Sequence, residues 1–396
     1  MNRALAALSL GTFALGIAEF VIMGILVNIA SSLGISIDAA GHLISAYASG
    51  VCAGAIGLLF VRRMPLHRIM ILLAAVIGFG NLLATLAPGY HTLLAARFIS
   101  GLPHGAYFGV GAIVARRLAR PGRETQAVAL MIAGMTVANL VGVPLGTMLA
   151  NLLSWRLAFL AAALSGIATF VLLRLWLPRM EPLPDTGLRG QFRFLRTLPP
   201  WLIFGAIFIG QTGIYCWYSY IDPLLTSVTG FRASDLSWLM LVSGLGMFAG
   251  NLWAGSLSLR YKPSLIASLM LAAAAALLLA IYFCAASPLL MVPLMFACTV
   301  AMFGSGGPLQ SSIVIYARGG EMLGAALIQI AYNAGNAIAA WIGGLVIRAG
   351  YGYEAPCLAG IPLAATGAVL VFILYLKRER NAPQIAQVTV QLKHKP

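Results

Sequence analysis

An apolar stretch that covers residues 5–26 is long enough to cross a lipid bilayer as a single helix. It contains one ionisable side chain, Glu19. A charged group at the middle of a membrane costs about 2.5–3.5 kcal/mol on the insertion scale, so it is expected to face protein or water and to be functional. A chain that needed only a lipid anchor would span more cheaply without this carboxylate. The stretch therefore predicts a membrane-spanning helix that carries a functional acid.

Apolar stretches of this length recur along the whole chain. Of the 396 residues, 61% are hydrophobic and only 9% are charged, whereas soluble domains carry about 25% charged residues. Because the apolar runs are continuous rather than alternating, they predict helices and not a transmembrane β-barrel. The twelve predicted spans are residues 5–27, 40–61, 69–87, 92–114, 126–150, 155–178, 200–222, 235–259, 264–285, 289–314, 322–347 and 355–376.

A polar stretch at residues 179–199 divides the spans into two sets of six. Three residues of the first set recur 197 positions later in the second: Glu124, Asn139 and Gly146 are followed by Glu321, Asn336 and Gly343. This recurrence predicts an all-α membrane protein made of two six-helix bundles, with a binding site between the halves. The predicted domains are residues 1–178, a central cytoplasmic loop at 179–199, residues 200–376 and a cytoplasmic tail at 377–396.

Basic residues predict the orientation of the spans. If both termini are cytoplasmic, all but four of the 25 Lys and Arg lie in cytoplasmic segments, the four being Arg97, Arg156, Arg232 and Arg348. This bias follows the positive-inside rule, so we expect a multi-pass protein with both termini in the cytoplasm. The same excess explains the net charge of +15 without nucleic acid, since no basic run is interleaved with stacking aromatic residues.

The fourth predicted span contains two ionisable residues, Arg97 and His104, which are candidates for proton coupling together with Glu19 of the first span. With a rise of about 1.5 Å per residue, Arg97 lies at a depth similar to that of Glu19. Arg97 either pairs with Glu19 across a cavity or ties the carbonyl groups of neighbouring helices together. His104 and Phe108 follow on the same helical face, and His104 is either a proton relay or a hydrogen-bonded core histidine. The proton-coupling candidates are therefore Glu19, Arg97 and His104.

Neutral polar side chains form stripes on the seventh and eleventh predicted spans. They either line a polar cavity or hold helices together by hydrogen bonds. Asp222 ends the first stripe beside Pro223, where it is either a solvated helix end, which we favour, or a gate contact. The predicted substrate-binding residues, which include aromatic and amide side chains of other spans, are Tyr47, Phe108, Asn139, Gln211, Tyr215, Gln329, Tyr332, Asn333 and Asn336.

The chain lacks the motifs that would supply chemical energy or catalysis. It contains no GxxxxGK[ST], HExxH or GxSxG segment, and its five cysteines have no metal-site spacing. Without ATP, uphill transport needs an ion gradient, for which a lone carboxylate in the membrane is a natural proton carrier. The sequence therefore predicts a transporter that uses a proton gradient and no cofactor or metal. Its expected partners are a small-molecule substrate, protons and membrane lipid.

Several ordered segments resemble AraJ-like members of the drug/proton antiporter branch of the major facilitator superfamily, over essentially the whole chain. They are LGTFALGIAEFVIMGIL, ISIDAAGHLISAYASGV, RFISGLPHGAYFGVGAIV, GMTVANLVGVPLGTML with the following SWRLAFL, and GGEMLGAA. The resemblance implies alternating access by a monomer of the bacterial inner membrane, with export driven by inward protons. It implies that Glu19 is the branch's acidic residue of helix 1, that Arg97 with Gly101 is its helix 4 motif, and that residues 134–146 form a degenerate helix 5 antiporter motif.

We expect Asp222, Arg62 and Arg260 to be gate residues. Next to Arg62 and Arg260, the sequence differs from the pattern of the superfamily. In this superfamily the loop between helices 2 and 3 usually carries an Asp before the Arg. Here that place is taken by Val61, and in the second half by Leu259. The usual Asp-based latch between the bundles is therefore missing.

The function that the sequence favours is export of a small organic molecule, sugar or drug-like, in exchange for protons. Uptake by proton symport is one alternative. A non-transporting membrane receptor is another, and it would bind a ligand without driving solute counterflow. A membrane enzyme is disfavoured because no nucleophile–base pair is visible.

Overall fold

A computed structural model describes residues 3–380 except 62, 122, 183–191, 259 and 318–320. The described residues form helices and connections, and no β-strand occurs among them. Twelve helices are long and apolar enough to cross a membrane, which confirms the predicted number and fold class. These spans, numbered 1 to 12 in chain order, are Arg3–Gly24, Ile37–Leu58, Leu66–Leu86, Tyr90–Leu118, Gln126–Leu152, Arg156–Trp176, Leu198–Tyr218, Ala233–Leu257, Pro263–Cys284, Pro288–Ile313, Ala326–Arg348 and Ala355–Glu379.

Span 1 does not end as a regular helix. Its last turn, Val21–Gly24, is a 3₁₀-helix, and a separate short helix, Leu26–Leu33, follows after Ile25. This short helix ends at Gly34 with φ of 63°, a left-handed conformation that glycine adopts without steric cost. The apolar pattern predicted one span over 5–27 and did not show the break, because both pieces are equally apolar.

Proline and π-helical turns interrupt other spans. Span 4 consists of two helices, Tyr90–Gly101 and Pro103–Leu118, because Pro103 has no N–H to continue the first. Span 5 contains a π-helical turn at Ala138–Gly142, just before Pro144, where the sequence predicts a kink. Span 7 contains another at Ala206–Gln211. Single π turns inside α-helices are frequent at functional sites.

The spans pack as two bundles of six. In the first bundle, span 1 packs against spans 5 and 6, and span 3 packs against span 6. In the second, span 8 packs against span 10, and span 9 packs against spans 10 and 12. The bundles meet mainly where span 2 contacts span 11 and span 5 contacts span 8. The described chain is still helical through the turn Tyr375–Glu379, so helical structure extends past the predicted start of the tail at 377, while residues 381–396 lie outside the description.

The two ends of the molecule differ at the seam between the bundles. We call the end with Arg3 and the connections at 63–65 and 260–262 the basic face, and the other end the opposite face. At the opposite face, Arg348 Nη1 of the second bundle lies 3.7 Å from Asp38 Oδ2 of the first. A Cβ at Gly41 would lie 2.0 Å from the Tyr220 hydroxyl oxygen, so only glycine permits this approach. The seam is therefore closed at the opposite face.

Candidate functional site

Glu19 lies at the seam between the two bundles, near the middle of the molecule. Its side chain is buried, and its Oε2 lies 3.7 Å from His104 Nε2 of span 4. Its Oε1 accepts a hydrogen bond from Asn336 Nδ2 of span 11 at 3.4 Å. The carboxylate thus faces protein, and it links the first bundle to the second.

His104 is held on both sides of its ring. Its Nδ1 lies 2.9 Å from the Tyr47 hydroxyl of span 2, and its Nε2 faces Glu19. When the Tyr47 hydroxyl donates to Nδ1, the imidazole proton is on Nε2 and points toward the carboxylate. The Phe108 ring packs on the imidazole with centroids 5.2 Å apart, so the two residues that the sequence places on one helical face are in contact.

Arg97 is fully buried but does not pair with Glu19. Its Nη1 donates to the Ala18 carbonyl at 2.6 Å and its Nε to the Leu43 carbonyl at 3.4 Å. Its guanidinium lies 4.3 Å above the Tyr47 ring and 5.3 Å from the Phe159 ring, both within cation–π range. Of the two alternatives from the sequence, the direct ion pair is wrong and the tie between helix carbonyl groups is present. Arg97 thereby fixes the turn of span 1 that carries Glu19.

The predicted polar residues of the second bundle surround the same centre. Gln211 donates to the Ser305 hydroxyl at 2.6 Å, and Tyr215 lies beside Asn336 and close to Glu19. Asn333 Nδ2 donates to the main-chain carbonyl of Gln329 at 3.0 Å.

Several buried polar atoms of this group have no hydrogen-bond partner within the described part of the chain. They are the Tyr332 hydroxyl and the side-chain oxygens of Asn333 and Asn336. Buried polar groups in native proteins are normally satisfied. These atoms are therefore placed to receive a polar ligand or water.

Two features of the site were not predicted from the sequence. Ser305 of span 10 is the partner of Gln211, but a serine among glycines gives no signal by itself. Phe20 reaches across the seam to Phe303, with centroids 5.8 Å apart, and to Tyr218 at 6.5 Å. Aromatic residues are so common in apolar spans that their meeting depends on how the helices pack.

The remaining predicted site residues make no hydrogen bond or ion pair with Glu19 in the described part of the chain, or lie outside it. Asn139 is buried in the π-helical turn of span 5, where its main-chain carbonyl oxygen would lie 2.3 Å from a Cβ at Gly244 of span 8. It is therefore part of the close approach between the bundles. Gln329 is half-buried against Gly105 of span 4. Among the predicted gates, Arg62 lies outside the described residues and Arg260 is exposed at the basic face.

Asp222 is not the solvated helix end that we favoured. It is fully buried at the opposite face, where its Oδ2 accepts a hydrogen bond from the Val27 main-chain N–H of the first bundle at 2.9 Å. Burial raises its pKa to about 7, although main-chain hydrogen bonds from Val27 and Leu26 counteract this. The sequence placed Asp222 at the last residue of the predicted span 200–222, but it could not show that the first bundle covers this residue.

Twelve apolar spans in two bundles, with a polar centre between them, define a multi-pass membrane transporter. Residues 8–326 match the model of the Major Facilitator Superfamily. The chain belongs to this family of transporters, whose members are not enzymes.

The chain has similar relatives over nearly its full length. It is 42% identical to AraJ of Escherichia coli (strain K12), over 96% of this chain and 98% of AraJ. It is 34% identical to the inner membrane transport protein YdhP of the same organism, over 94% of this chain and 96% of YdhP. It is 28% identical to a chloramphenicol resistance protein of Streptomyces lividans, over 94% and 96% of the two chains. The crystal structure of a bacterial homologue of the human lysosomal transporter Spinster superposes with a TM-score of 0.65 at 18% identity, covering 94% of both chains.

Proposed function

We propose that this protein exports a small organic molecule in exchange for protons, by alternating access between its two faces. Glu19 is the main proton-binding residue, and His104 and Arg97 set its environment. The exporter is a monomer of the inner membrane with both termini in the cytoplasm, as the positive-inside rule and the name of the relative YdhP suggest.

The observation that carries the proposal is the contact of Glu19 with both bundles. The carboxylate reaches His104 of the first bundle and Asn336 of the second. When a proton neutralises it, its interaction with the Asn336 amide changes, and so does the cost of keeping it buried. A proton and a substrate that both act on this contact can therefore be exchanged for one another.

The lining of the centre suggests the class of substrate. The Tyr332 hydroxyl and the amide oxygens of Asn333 and Asn336, which have no hydrogen-bond partner among the described residues, suit a solute with several polar groups. The aromatic contacts of Phe20 with Phe303 and Tyr218 suit a flat or apolar part of the same solute. We infer a neutral amphiphilic molecule, either a sugar derivative or a drug-like compound.

Export is favoured over proton-symport uptake by two observations. One is the degenerate antiporter motif at residues 134–146, which forms the kinked part of span 5. The other is the chloramphenicol resistance protein among the relatives. The two directions are distinguished by imposing a pH gradient of either sign on vesicles that contain oriented protein.

The test is flux in proteoliposomes with the variant Glu19→Gln. Compounds that raise the melting temperature of the purified protein, in a screen that includes chloramphenicol and monosaccharides, serve as substrates. We expect the variant to lose flux driven by a pH gradient, to the level of protein-free vesicles, while it keeps substrate counterflow, which needs no net proton movement.

The matched control is Glu181→Gln, which removes an exposed carboxylate and should retain full gradient-driven flux. Full gradient-driven flux in Glu19→Gln would show that the carboxylate does not carry the proton. Substrate binding without counterflow in the unmodified protein would favour the receptor alternative.

A further inference from the structure

Asp222 occupies the capping position of a helix that belongs to the other bundle. The short helix Leu26–Leu33 begins after Ile25, whose side chain has no polar atom to cap it. The first N–H groups of a helix have no partner within the helix, and a carboxylate is well suited to accept from them. Asp222 Oδ2 takes this place from across the seam, 2.9 Å from the Val27 nitrogen. The cap can exist only while the opposite face is closed.

Beyond the main-chain N–H groups of Val27 and Leu26, the carboxylate has no compensation for being buried among the described residues. Its Oδ1 has no hydrogen-bond partner among the residues that the structure describes. The elements packed against it are the turn Val21–Gly24, the helix Leu26–Leu33 and the π turn Leu224–Val228, and none of them contains an ionisable residue. Of the nearby charges, Arg232 is exposed and Asp235 is half-buried, and Asp235 Oδ2 accepts a hydrogen bond from the Arg232 main-chain N–H.

A pocket lined by Asp222 and by both polar and apolar residues lies at the opposite face. It has a volume of about 470 Å³. Four hydroxyl or amide side chains line it together with Asp222: Asn28, Ser31, Ser32 and Thr226. A proton or a water molecule that arrives from the opposite face therefore has a polar route to Asp222.

We propose that Asp222 is a second proton-binding residue of the transport cycle, and that the opposite face closes over its protonated form. This rests on the proposed function, in which protons enter from that face. When the face is open, Asp222 loses the Val27 bond and meets water. When the face closes, a neutral carboxyl group costs much less to bury than a charged one. Asp222 thereby makes closure depend on proton binding.

The sign of the pH dependence follows from the two states. In the closed state burial raises the pKa of Asp222 to about 7 from the ordinary value of 3.8, to which it returns in water. The closed state therefore binds the proton more tightly, and lowering the pH through 7 favours closure. Between about pH 8 and about pH 6, the ratio of closed to open protein should rise about tenfold, since each pH unit below the closed-state pKa multiplies it by ten.

The test measures opening directly and does not require transport. Spin labels are attached at Leu86→Cys, at the end of span 3, and at Leu289→Cys, at the start of span 10. Both positions are exposed at the opposite face, so the distance between the labels reports the separation of the bundles there. The five native cysteines are first replaced by serine or alanine, so that only the two introduced cysteines are labelled. The protein also carries Glu19→Gln, so that Glu19 cannot contribute to the pH dependence, and it is reconstituted without substrate.

We expect the ratio of open to closed protein to fall about tenfold between about pH 8 and about pH 6. Asp222→Asn keeps an oxygen for the Val27 N–H but carries no charge, so its open fraction should be low at both pH values. The matched control Asp235→Asn removes a half-buried charge of the same face and should behave like the parent. A pH dependence that persists in Asp222→Asn overturns the proposal.

A second measurement covers the case in which Asp222→Asn does not fold. Infrared spectroscopy of the Glu19→Gln protein should show the carbonyl band of a protonated carboxylic acid at about pH 6 and its loss at about pH 8. Absence of this band at the lower pH overturns the proposal. Neither experiment measures flux. If the Glu19→Gln flux assay contradicts the exporter proposal, the spin-label and infrared results still test the role of Asp222 separately.

Discussion

The two bundles contribute different kinds of polar residue to the centre, and they satisfy them differently. In the first bundle the polar groups are ionisable, and Glu19, His104 and Arg97 all have partners. In the second bundle they are neutral, and oxygens of Tyr332 and Asn336 have none among the described residues. The first half is organised in advance for a charge, whereas the second half is ready to accept bonds from a ligand. This division suggests that proton and substrate are recognised by opposite halves and meet at the Glu19–Asn336 contact.

The largest effect within this comparison is expected at Arg97, which organises the first half. Arg97→Met removes two hydrogen bonds to helix carbonyl groups and the contact with the Tyr47 ring, and should lower stability by about 2 kcal/mol. Thermal unfolding in detergent measures this loss. Arg348→Met is the control, because that side chain is 55% exposed in its ion pair with Asp38 and should change stability by less than about 1 kcal/mol. Equal melting temperatures for both variants would show that the first half does not depend on Arg97.

A smaller effect is expected at Asn336, on the substrate side of the contact. Asn336→Ala removes the donor to Glu19 and an unpartnered oxygen, so substrate affinity should fall about tenfold, the value of one good hydrogen bond of about 1.4 kcal/mol. Asn81→Ala removes a buried amide inside the first bundle and should leave the affinity intact. Binding titrations on the purified proteins measure both affinities, and an unchanged affinity in Asn336→Ala would contradict the division of roles.

The smallest effect is expected at Tyr332, whose hydroxyl has no partner within the described residues. Tyr332→Phe should leave the melting temperature unchanged and weaken substrate binding about threefold, since one weak hydrogen bond is lost. Tyr107→Phe gives the reverse pattern, because the Tyr107 hydroxyl donates to the Leu8 carbonyl within the first bundle at 3.2 Å. That variant should lower stability by about 0.6 kcal/mol and leave binding unchanged. Matching results for the two tyrosines would remove the distinction between the halves.

The difference between what could and could not be predicted is clear at individual residues. Helical periodicity correctly placed His104 and Phe108 on one face, because residues at i and i+4 are neighbours within any helix. It could not decide between the two roles of Arg97, because the partner depends on how span 4 is rotated toward spans 1 and 2. The sequence predicted the wrong environment for Asp222, because Val27, which bonds this side chain, lies 195 positions earlier in the chain.

The sequence by itself determined the twelve spans, their division into two sets of six, and the presence of an acid within the first span. These depend on hydrophobic length and on the cost of a charge in lipid, and both quantities belong to a single segment. The tertiary structure alone decided that Glu19 meets Asn336, that Arg97 binds carbonyl groups, and that Asp222 caps a helix of the other bundle. Such contacts join residues of different helices, so they depend on the relative rotation and spacing of helices, which apolar patterns leave open.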